Sequence, residues 1–272
     1  MRKHLVVYVA FTSLLLFPSL QSQISVIGEL SQDREVRPGE KYDGVILVKN
    51  DTNEPQEVKV YQTDYSFHFS GTNNYADPGS MVRSNAKWIA FSPSFLTVPP
   101  QSALAVNYSV TVPEDKEKKL VGSYWSMLMI EGVPKGSAES SAPAKDKTQM
   151  GIMQTIRYGV QIATHITGTG ARKLNFVGTP KIVTSADGKR KLQIDIENVG
   201  DIGMRPEVYV ELFDEKGVSR GKFPGVRYRI YPGTSVRQSI DLSSASAGTY
   251  KALVVVDAGG EDVFGAQYTL KF

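Results

Sequence analysis

Alternation between apolar and polar residues from position 103 to position 166 limits the possible fold of this chain more than any other feature. Apolar side chains follow a period of two in Ala103–Val112, in Ser123–Glu131 and, beyond a polar gap, in Gly151–Ile166. Because successive side chains of a strand point to opposite faces, this period predicts β-strands with a buried face. We expect these three runs to form the last three strands of one antiparallel sandwich sheet.

The middle run carries apolar residues on both of its faces, and the second face consists of Trp125, Met127 and Met129. Large apolar patches seldom stay exposed, so we expect both faces to be covered. The cover on this second face is either the chain's own loops and domains or a binding partner. The loop that follows, Gly132–Met150, is too long for an ordinary hairpin, and long loops of this kind are often functional.

A second set of strand patterns follows the sequence Thr167-Gly168-Thr169-Gly170, which we take as a domain boundary. Seven short runs are separated there by turn residues. They are Lys173–Thr184, Lys191–Glu197, Glu207–Phe213, Arg227–Ile230, Ser235–Leu242, Tyr250–Asp257 and Ala266–Phe272. Such spacing is typical of an immunoglobulin-like sandwich. The chain is therefore predicted to be all-β, with two immunoglobulin-like antiparallel β-sandwich domains in tandem, residues 23–168 and 169–272.

One strand of the first domain shows a conflict of parity. Val58 and Val60 face one way, whereas Tyr65 and Phe67 take the opposite parity. A single strand cannot bury both pairs on the same face. We expect a β-bulge or a sheet switch between positions 61 and 64.

The first 22 residues have the layout of a cleavable secretory signal. Arg2 and Lys3 are followed by an apolar run from Leu5 to Phe17 and then by a polar end. The chain contains no cysteine, so an exported protein of this kind has to hold itself together by packing, which suits a bacterial envelope. We expect a signal peptide over residues 1–22, export to the periplasm or the bacterial cell surface, and no membrane span after cleavage.

Charge and motif content argue against several classes of function. The net charge is only +3 with Arg2 and Lys3 included, which gives no reason to expect a nucleic-acid partner. His68 and His165 stand far apart without ligand-spaced neighbours, and no nucleophile, phosphate-loop or dinucleotide motif is present. We expect no enzyme activity, no catalytic residues, no cofactor and no metal site.

Several turn and strand motifs occur in an order that resembles two groups of exported bacterial proteins. They are the Pro38-Gly39 turn, VKN at 48–50, GTNNY at 71–75, W-I-x-x-S-P at 88–93, V-P-P-x-S at 98–102, V-P at 112–113 and GSY at 122–124. One group is the periplasmic pilus chaperones, which have two immunoglobulin-like domains set at an angle. The other is the WxL-interacting surface proteins, whose peptidoglycan-binding domain is also followed by a second sandwich.

The resemblance to pilus chaperones implies a mode of binding. In that family the strand after the long loop donates alternating apolar side chains to an unfinished pilin, which is recognition by strand addition. Two basic residues in the cleft between the domains hold the carboxylate at the pilin's C-terminus. By this resemblance, Ile152, Ile156, Tyr158 and Val160 fit the donor pattern, and Arg157 falls at the second basic position.

Arg157 has a second interpretation that the residues alone leave open. It is either a carboxylate clamp, which suits a bidentate guanidinium, or a solvent-facing arginine neutralised by a neighbouring acid.

The leading hypothesis is a non-catalytic exported binding protein that acts as a chaperone or assembly factor by strand addition. Its partner would be an extracytoplasmic subunit, pilin-like or a surface protein. The expected partner-binding residues are Ile152, Ile156, Arg157, Tyr158 and Val160, with Trp125 and Met127 from the apolar stripe. The alternative is a structural or adhesive surface module whose partner is a cell-wall polymer, peptidoglycan or another glycan.

Overall fold

The computed structural model describes residues 24–117, 119–141 and 155–272, so the expected signal peptide and Ile152 lie outside the described residues. Apart from a short 3₁₀ turn at Ala86–Trp88, the regular structure of these residues is β-strand. The strands are β1 (Ile24–Ile27), β2 (Ser31–Val36), β3 (Lys41–Asn50), β4 (Gln56–Phe67), β5 (Asn73–Ala76), β6 (Ile89–Ser92), β7 (Phe95–Val98), β8 (Ala103–Thr111), β9 (Gly122–Val133), β10 (Arg157–Ile166), β11 (Leu174–Thr184), β12 (Arg190–Asn198), β13 (Glu207–Phe213), β14 (Ser219–Pro224), β15 (Ser235–Asp241), β16 (Thr249–Asp257) and β17 (Val263–Lys271). A search of the described part of the chain finds no helix with the length and apolar character needed to cross a bilayer.

Strands β1 to β10 form a first sandwich of two facing sheets. One sheet has the order β1-β3-β8-β6, and the other has the order β2-β10-β9-β4-β5, with β7 paired to β4. Alternate apolar side chains such as Val106 of β8 and Leu128 of β9 are buried in the core between them. The expectation that β8, β9 and β10 are neighbours in one sheet is wrong for β8. It lies in the opposite sheet because the chain crosses the sandwich between Val112 and Gly122.

The first strand of this sandwich is divided between the two sheets. β1 pairs antiparallel with β3, whereas β2 pairs parallel with β10 in the other sheet. The crossing segment, Gly28–Leu30, starts with a glycine at φ +99°, a backbone conformation that residues with a Cβ rarely adopt. The end of β1 and the start of β2 therefore lie on opposite sides of the sandwich opening.

Strand β4 resolves its conflict of parity without a bulge. It pairs with β9 from Glu57 to Thr63 without a register shift, and its residues from Asp64 to Phe67 pair with β5. Of the two expectations for this strand the β-bulge is wrong, whereas the change of pairing partner between Thr63 and Asp64 agrees with the alternative, a sheet switch. Val58 and Val60 lie in the sandwich core, while Phe67 packs on the opposite face against a separate apolar cluster.

Strands β11 to β17 form a second sandwich, with sheets β11-β12-β15 and β14-β13-β16-β17 and a core of its own. The strand predicted at Arg227–Ile230 is wrong, since Ile230 makes only an isolated bridge with Met204. The strand in that part of the chain is β14, which forms a hairpin with β13. The two sandwiches along the chain confirm the predicted fold class. Among the described strands, β2 and β10 pair in parallel, and all other pairs are antiparallel.

A buried asparagine closes the same kind of loop in each sandwich. The Nδ2 of Asn50, at the end of β3, donates to the carbonyls of Val98 and Pro99 at 3.0 and 3.1 Å. The Nδ2 of Asn198, at the end of β12, donates to the carbonyl of Ile230 at 3.0 Å. Both asparagines are fully buried, so water does not compete for these hydrogen bonds. In each sandwich they join two segments that are distant in sequence.

Candidate partner-binding site

The candidate site is a stretch of unpaired sheet edge at the start of β10. On one side, β10 pairs with β9 over its whole length. On the other side, β2 pairs only with Gln161–Ile166. Among the described residues, no strand occupies the second side of Arg157–Val160, and we call this edge the notch.

The backbone groups that face the notch follow from the geometry of a strand. Gln161 donates its N–H to the carbonyl of Leu30 at 2.9 Å, so its backbone groups point toward β2. Because successive residues point these groups to opposite sides, Gly159 and Arg157 direct theirs into the notch. Two N–H donors and two C=O acceptors are thus placed for pairing with an added strand.

Apolar surface borders the notch on its inner side. Tyr158 is half-buried and donates its hydroxyl to the carbonyl of Ile24 at 3.1 Å, and Val160 lies fully in the core. Leu30 of the crossing segment is 45% exposed and lies beside the notch, because its carbonyl accepts the N–H of Gln161. Tyr158 and Leu30 therefore place apolar surface next to the backbone groups that face the notch.

On the outer face, a row of charged residues crosses three strands and ends at the notch. The register aligns Lys59 of β4, Glu131 of β9 and Arg157 of β10. Glu131 accepts hydrogen bonds from Arg157 Nε at 2.7 Å and from the Tyr61 hydroxyl at 2.8 Å, and it lies 3.5 Å from Lys59 Nζ. Lys59 also pairs with Glu139 at 2.7 Å. The Glu131 side chain is 7% exposed and that of Arg157 is 60% exposed, so the carboxylate is enclosed and the guanidinium is open to solvent.

The same contacts set the protonation of this cluster. Burial alone would raise the pKa of Glu131, but the Tyr61 hydroxyl and the charges of Lys59 and Arg157 outweigh burial and lower the pKa below its usual value. Burial and the nearby Glu131 carboxylate raise the pKa of Tyr61, which stays a hydrogen-bond donor. Glu131 is therefore ionised at neutral pH and holds the guanidinium of Arg157 beside the notch.

Tyr231 of the second sandwich contacts β9 near its start and β10 at Gln161. The indole of Trp125 stacks on the ring of Tyr231, with 4.5 Å between centroids and an interplanar angle of 5°, and donates Nε1–H to the Tyr65 carbonyl at 2.7 Å. Tyr231 is fully buried, burial raises the pKa of its hydroxyl, and that hydroxyl donates to Gln161 Oε1 at 3.1 Å. The second sandwich thus covers Trp125 on the face of β9 whose cover was left open by the sequence.

A chain of polar contacts crosses the same joint. Gly203 donates its N–H to Ser123 Oγ at 2.7 Å, and that oxygen lies 2.6 Å from His165 Nδ1. His165 Nε2 lies 3.3 Å from Asp33 Oδ1, and both Asp33 oxygens lie 2.6 Å from Arg229. Serine, histidine and aspartate in contact are also the parts of a hydrolase triad. Here Ser123 is fully buried and its oxygen is occupied by the Gly203 N–H, so these contacts join the sandwiches and offer no nucleophile to a substrate.

A cleft of about 460 Å³ lies beside this joint. Tyr65, Phe67 and Phe69 form aromatic walls, and the two guanidinium groups are those of Arg229 and Arg237. Arg229 is already paired with a carboxylate, and Arg237 makes two hydrogen bonds of 2.6 and 2.7 Å to Asp195. The charges lining the cleft are therefore neutralised within the chain. No group of histidine, aspartate and glutamate side chains suited to a metal ion occurs among the described residues.

The structure divides the residues predicted to contact a partner. Ile156, Arg157 and Tyr158 lie at the notch. Val160 is fully buried in the first core and Trp125 is enclosed by the second sandwich, so neither side chain is at the surface. Both were expected to contact a partner, and their own packing removes them from that role.

Met127 is also buried, on the outer face of β9. A side chain at Gly159 would overlap its terminal methyl group, so the glycine makes room for Met127.

The resemblance implies a place for Arg157 in the cleft between the domains, but Arg157 is not among the residues that line the cleft beside the joint. It begins β10, four residues before Gln161, whose side chain contacts Tyr231 of the second sandwich. Four residues of extended chain span about 13 Å. Its pairing with Glu131 matches the other interpretation, a solvent-facing arginine neutralised by an acid.

Sequence analysis missed the residues that define the notch from the other side. Leu30 belongs to the segment that crosses between the two sheets, and Gly28 is the local signal of that crossing in the sequence. Glu131 and Tyr231 were missed because their roles depend on partners far away in sequence.

Comparisons with solved structures find similar chains among chaperones of fimbriae. A chain of a chaperone–tip adhesin complex of CFA/I fimbriae is 14% identical, with coverage of 91% of this chain and 98% of that chain and a TM-score of 0.46. The class 5 fimbriae chaperone CfaA is 14% identical, with 90% and 98% coverage and a TM-score of 0.44. A chain of the Salmonella enterica SafA pilin complex with the SafB chaperone is 12% identical, with 91% and 96% coverage and a TM-score of 0.43.

No protein-family model and no curated protein matches the sequence.

Replacing Gly122 by alanine tests the packing between the sandwiches. Gly122 has φ +70°, and a Cβ there would overlap the backbone carbonyl oxygen of Asp201. Gly168 has φ +71° and no atom within 4 Å of such a Cβ, so Gly168→Ala is a matched control for the backbone conformation alone. We expect Gly168→Ala to lower the free energy of unfolding by about 1–2 kcal/mol, and Gly122→Ala to lower it by about 1–3 kcal/mol more. Urea denaturation measures the free energy of unfolding of both variants. An equal loss in the two variants would mean that Gly122 does not pack against Asp201.

Replacing Glu131 by glutamine tests the charged row through its pH dependence. A carboxyl group whose pKa is lowered by folding stabilises the protein above its unfolded-state pKa of about 4.3 and loses this effect as the pH falls through the lower folded value. We expect Glu131→Gln to be about 1–3 kcal/mol less stable than the wild type at pH 7, and the gap to shrink below pH 5.

Urea denaturation at pH 7, 5 and 3 measures this gap. Glu139→Gln is the control, because Glu139 belongs to the same cluster but its side chain is 58% exposed. Glu139→Gln should change the free energy of unfolding by no more than about 0.5 kcal/mol. A Glu131→Gln gap that does not vary with pH would mean that the carboxylate charge does not stabilise the fold.

Proposed function

We propose that this protein is a non-catalytic exported binding protein that holds an extended segment of another exported protein in the notch, as a chaperone or assembly factor. The observation that carries the proposal is that, among the described residues, no strand pairs with the backbone groups of Arg157 and Gly159 on the second side of β10. Exposed strand edges readily pair with other chains, and proteins usually protect them. An edge left open beside apolar side chains is therefore best explained as the place where a strand is added.

Backbone pairing alone is too weak to hold a segment there. The N–H and C=O groups of Arg157 and Gly159 offer four hydrogen bonds, each with a net value of about 0.5–1.5 kcal/mol. Ordering four residues of the added segment costs about 1–2 kcal/mol per residue, which offsets that gain. Apolar contacts have to supply the surplus, and Tyr158 and Leu30 are described side chains placed to make them.

The partner in this proposal is an extracytoplasmic subunit, either pilin-like or a surface protein. The signal-like layout of residues 1–22 supports export, to the periplasm or to the bacterial cell surface. We assign residues 23–168 to the domain that binds the partner and residues 169–272 to a second domain. The contacts of Tyr231 support a role for that second domain in holding β9 and β10 in place.

A second candidate is a structural or adhesive surface module that binds peptidoglycan or another glycan. The observation in its favour is the cleft beside the joint, because aromatic walls with a few polar side chains are typical of ligand sites between domains. Sedimentation of residues 23–272 with purified cell wall distinguishes the two functions. A wall-binding module pellets with the polymer, whereas a chaperone stays in the supernatant.

Replacing Gly159 by proline tests strand addition at the notch. The proline removes the N–H that faces the notch and puts its ring there, so an added strand loses a hydrogen bond and meets a steric block. We expect Gly159→Pro to lose the exported protein that co-purifies with the wild type when each is co-expressed with the exported products of neighbouring genes.

Gly159→Ala is the matched control. It adds the same Cβ, which displaces the flexible end of Met127, but it keeps the N–H. The alanine protein should retain the partner. Equal recovery by a Gly159→Pro protein that is folded by circular dichroism and thermal melting would show that the partner is held elsewhere.

A further inference from the structure

The row of charges on the outer face alternates in sign up to the edge of the notch. Glu139 pairs with Lys59, Lys59 lies beside Glu131, and Glu131 binds Arg157. Lys59, Glu131 and Arg157 are direct cross-strand neighbours on β4, β9 and β10. Cross-strand neighbours of opposite charge stabilise a sheet and like charges destabilise it. The next position in this row belongs to whatever strand enters the notch.

The guanidinium at the end of the row has donors left for that next position. Arg157 uses Nε for its 2.7 Å contact with Glu131, and a guanidinium carries five N–H donors. The Arg157 side chain is 60% exposed, while Glu131 is already held by Tyr61 as well. The end of the row that faces the notch is therefore positive and accessible.

The neighbouring row on the same face is apolar and lacks a side chain at its edge. It consists of Tyr61, Met129 and Gly159, which are aligned across β4, β9 and β10. The end of the Met127 side chain and the sulfur of Met129 already lie over Gly159, so the apolar surface of this row reaches the edge of β10. An added strand therefore gains apolar contacts with these two methionines by placing a large apolar residue beside Gly159.

We infer that the notch selects a strand with an acidic residue beside Arg157 and, two positions away, a large apolar residue beside Gly159. This inference rests on the proposed function, since it needs a strand in the notch. Residues two positions apart share a face of a strand, so both side chains lie over the two rows at once. A lysine or arginine beside Arg157 places like charges opposite each other and is rejected.

Selection of displayed random octapeptides on immobilised residues 23–272 tests this pattern. We expect the wild type and Arg157→Lys to enrich peptides in which Asp or Glu stands two positions from a large apolar residue. Arg157→Gln should keep the apolar preference and lose the acid, and Arg157→Glu should favour a basic residue there. If Arg157→Glu impairs folding because it places a second acid beside Glu131, Arg157→Gln still tests the preference for an acidic residue.

Affinity measurements on the best peptide complete the test. Replacing its acid by the amide should weaken binding to the wild type about two- to fivefold by fluorescence anisotropy. The same replacement should leave binding to Arg157→Gln unchanged.

The outcomes separate this inference from the proposed function. Acid enrichment that persists in Arg157→Gln, or wild-type peptides without an acid at this spacing, would overturn the inference and leave strand addition intact. A Gly159→Pro protein that selects the same peptides as the wild type would show that they bind outside the notch, and both would fail. Absence of any enriched peptide counts against both as well.

Discussion

The place where the first strand changes sheets determines where this protein has an open edge. β1 pairs with β3 in one sheet and β2 pairs with β10 in the other, so Gly28–Leu30 crosses the side of the sandwich. If β2 began four residues earlier in its ladder, it would pair with Arg157 and Gly159. Because the crossing starts β2 later, no described strand pairs with these two residues on that side, and the end of the charged row at Arg157 is exposed for the same reason.

The second sandwich secures the strands that form this edge. β2 and β9 contact it through Asp33 with Arg229 and through Trp125 with Tyr231, and β10 contacts it through Gln161, the residue next to the notch. A chain without cysteine has no disulfide to fix these strands, so packing and buried hydrogen bonds have to do so. The tandem arrangement therefore holds β10 from Gln161 onward, directly beside the residues that no described strand pairs on their second side.

Alternation in the sequence predicted most strands because one face of each is buried, and it failed where the alternation is weak. The sequence SRGKFP of β14 shows no clear alternation, so the pattern does not predict this strand and instead predicts one at Arg227–Ile230. Periodicity also does not tell which sheet a strand joins, and β8 was misplaced for that reason. At the site, alternation indicated Ile156 and Tyr158. The pairings of Arg157 with Glu131 and of Trp125 with Tyr231 join distant residues, and no local pattern carries them.

Residue-specific amide hydrogen exchange, measured by NMR on the protein of residues 23–272 without a partner, tests most directly whether the notch is open. The N–H groups of Arg157 and Gly159 face the notch, those of Tyr158 and Val160 face β9, and that of Gln161 bonds to the crossing segment. Fast exchange at Arg157 and Gly159 with strong protection at the other three positions is the predicted result. Protection at all five positions would mean that this edge is already paired, and capture of a partner strand there would be excluded.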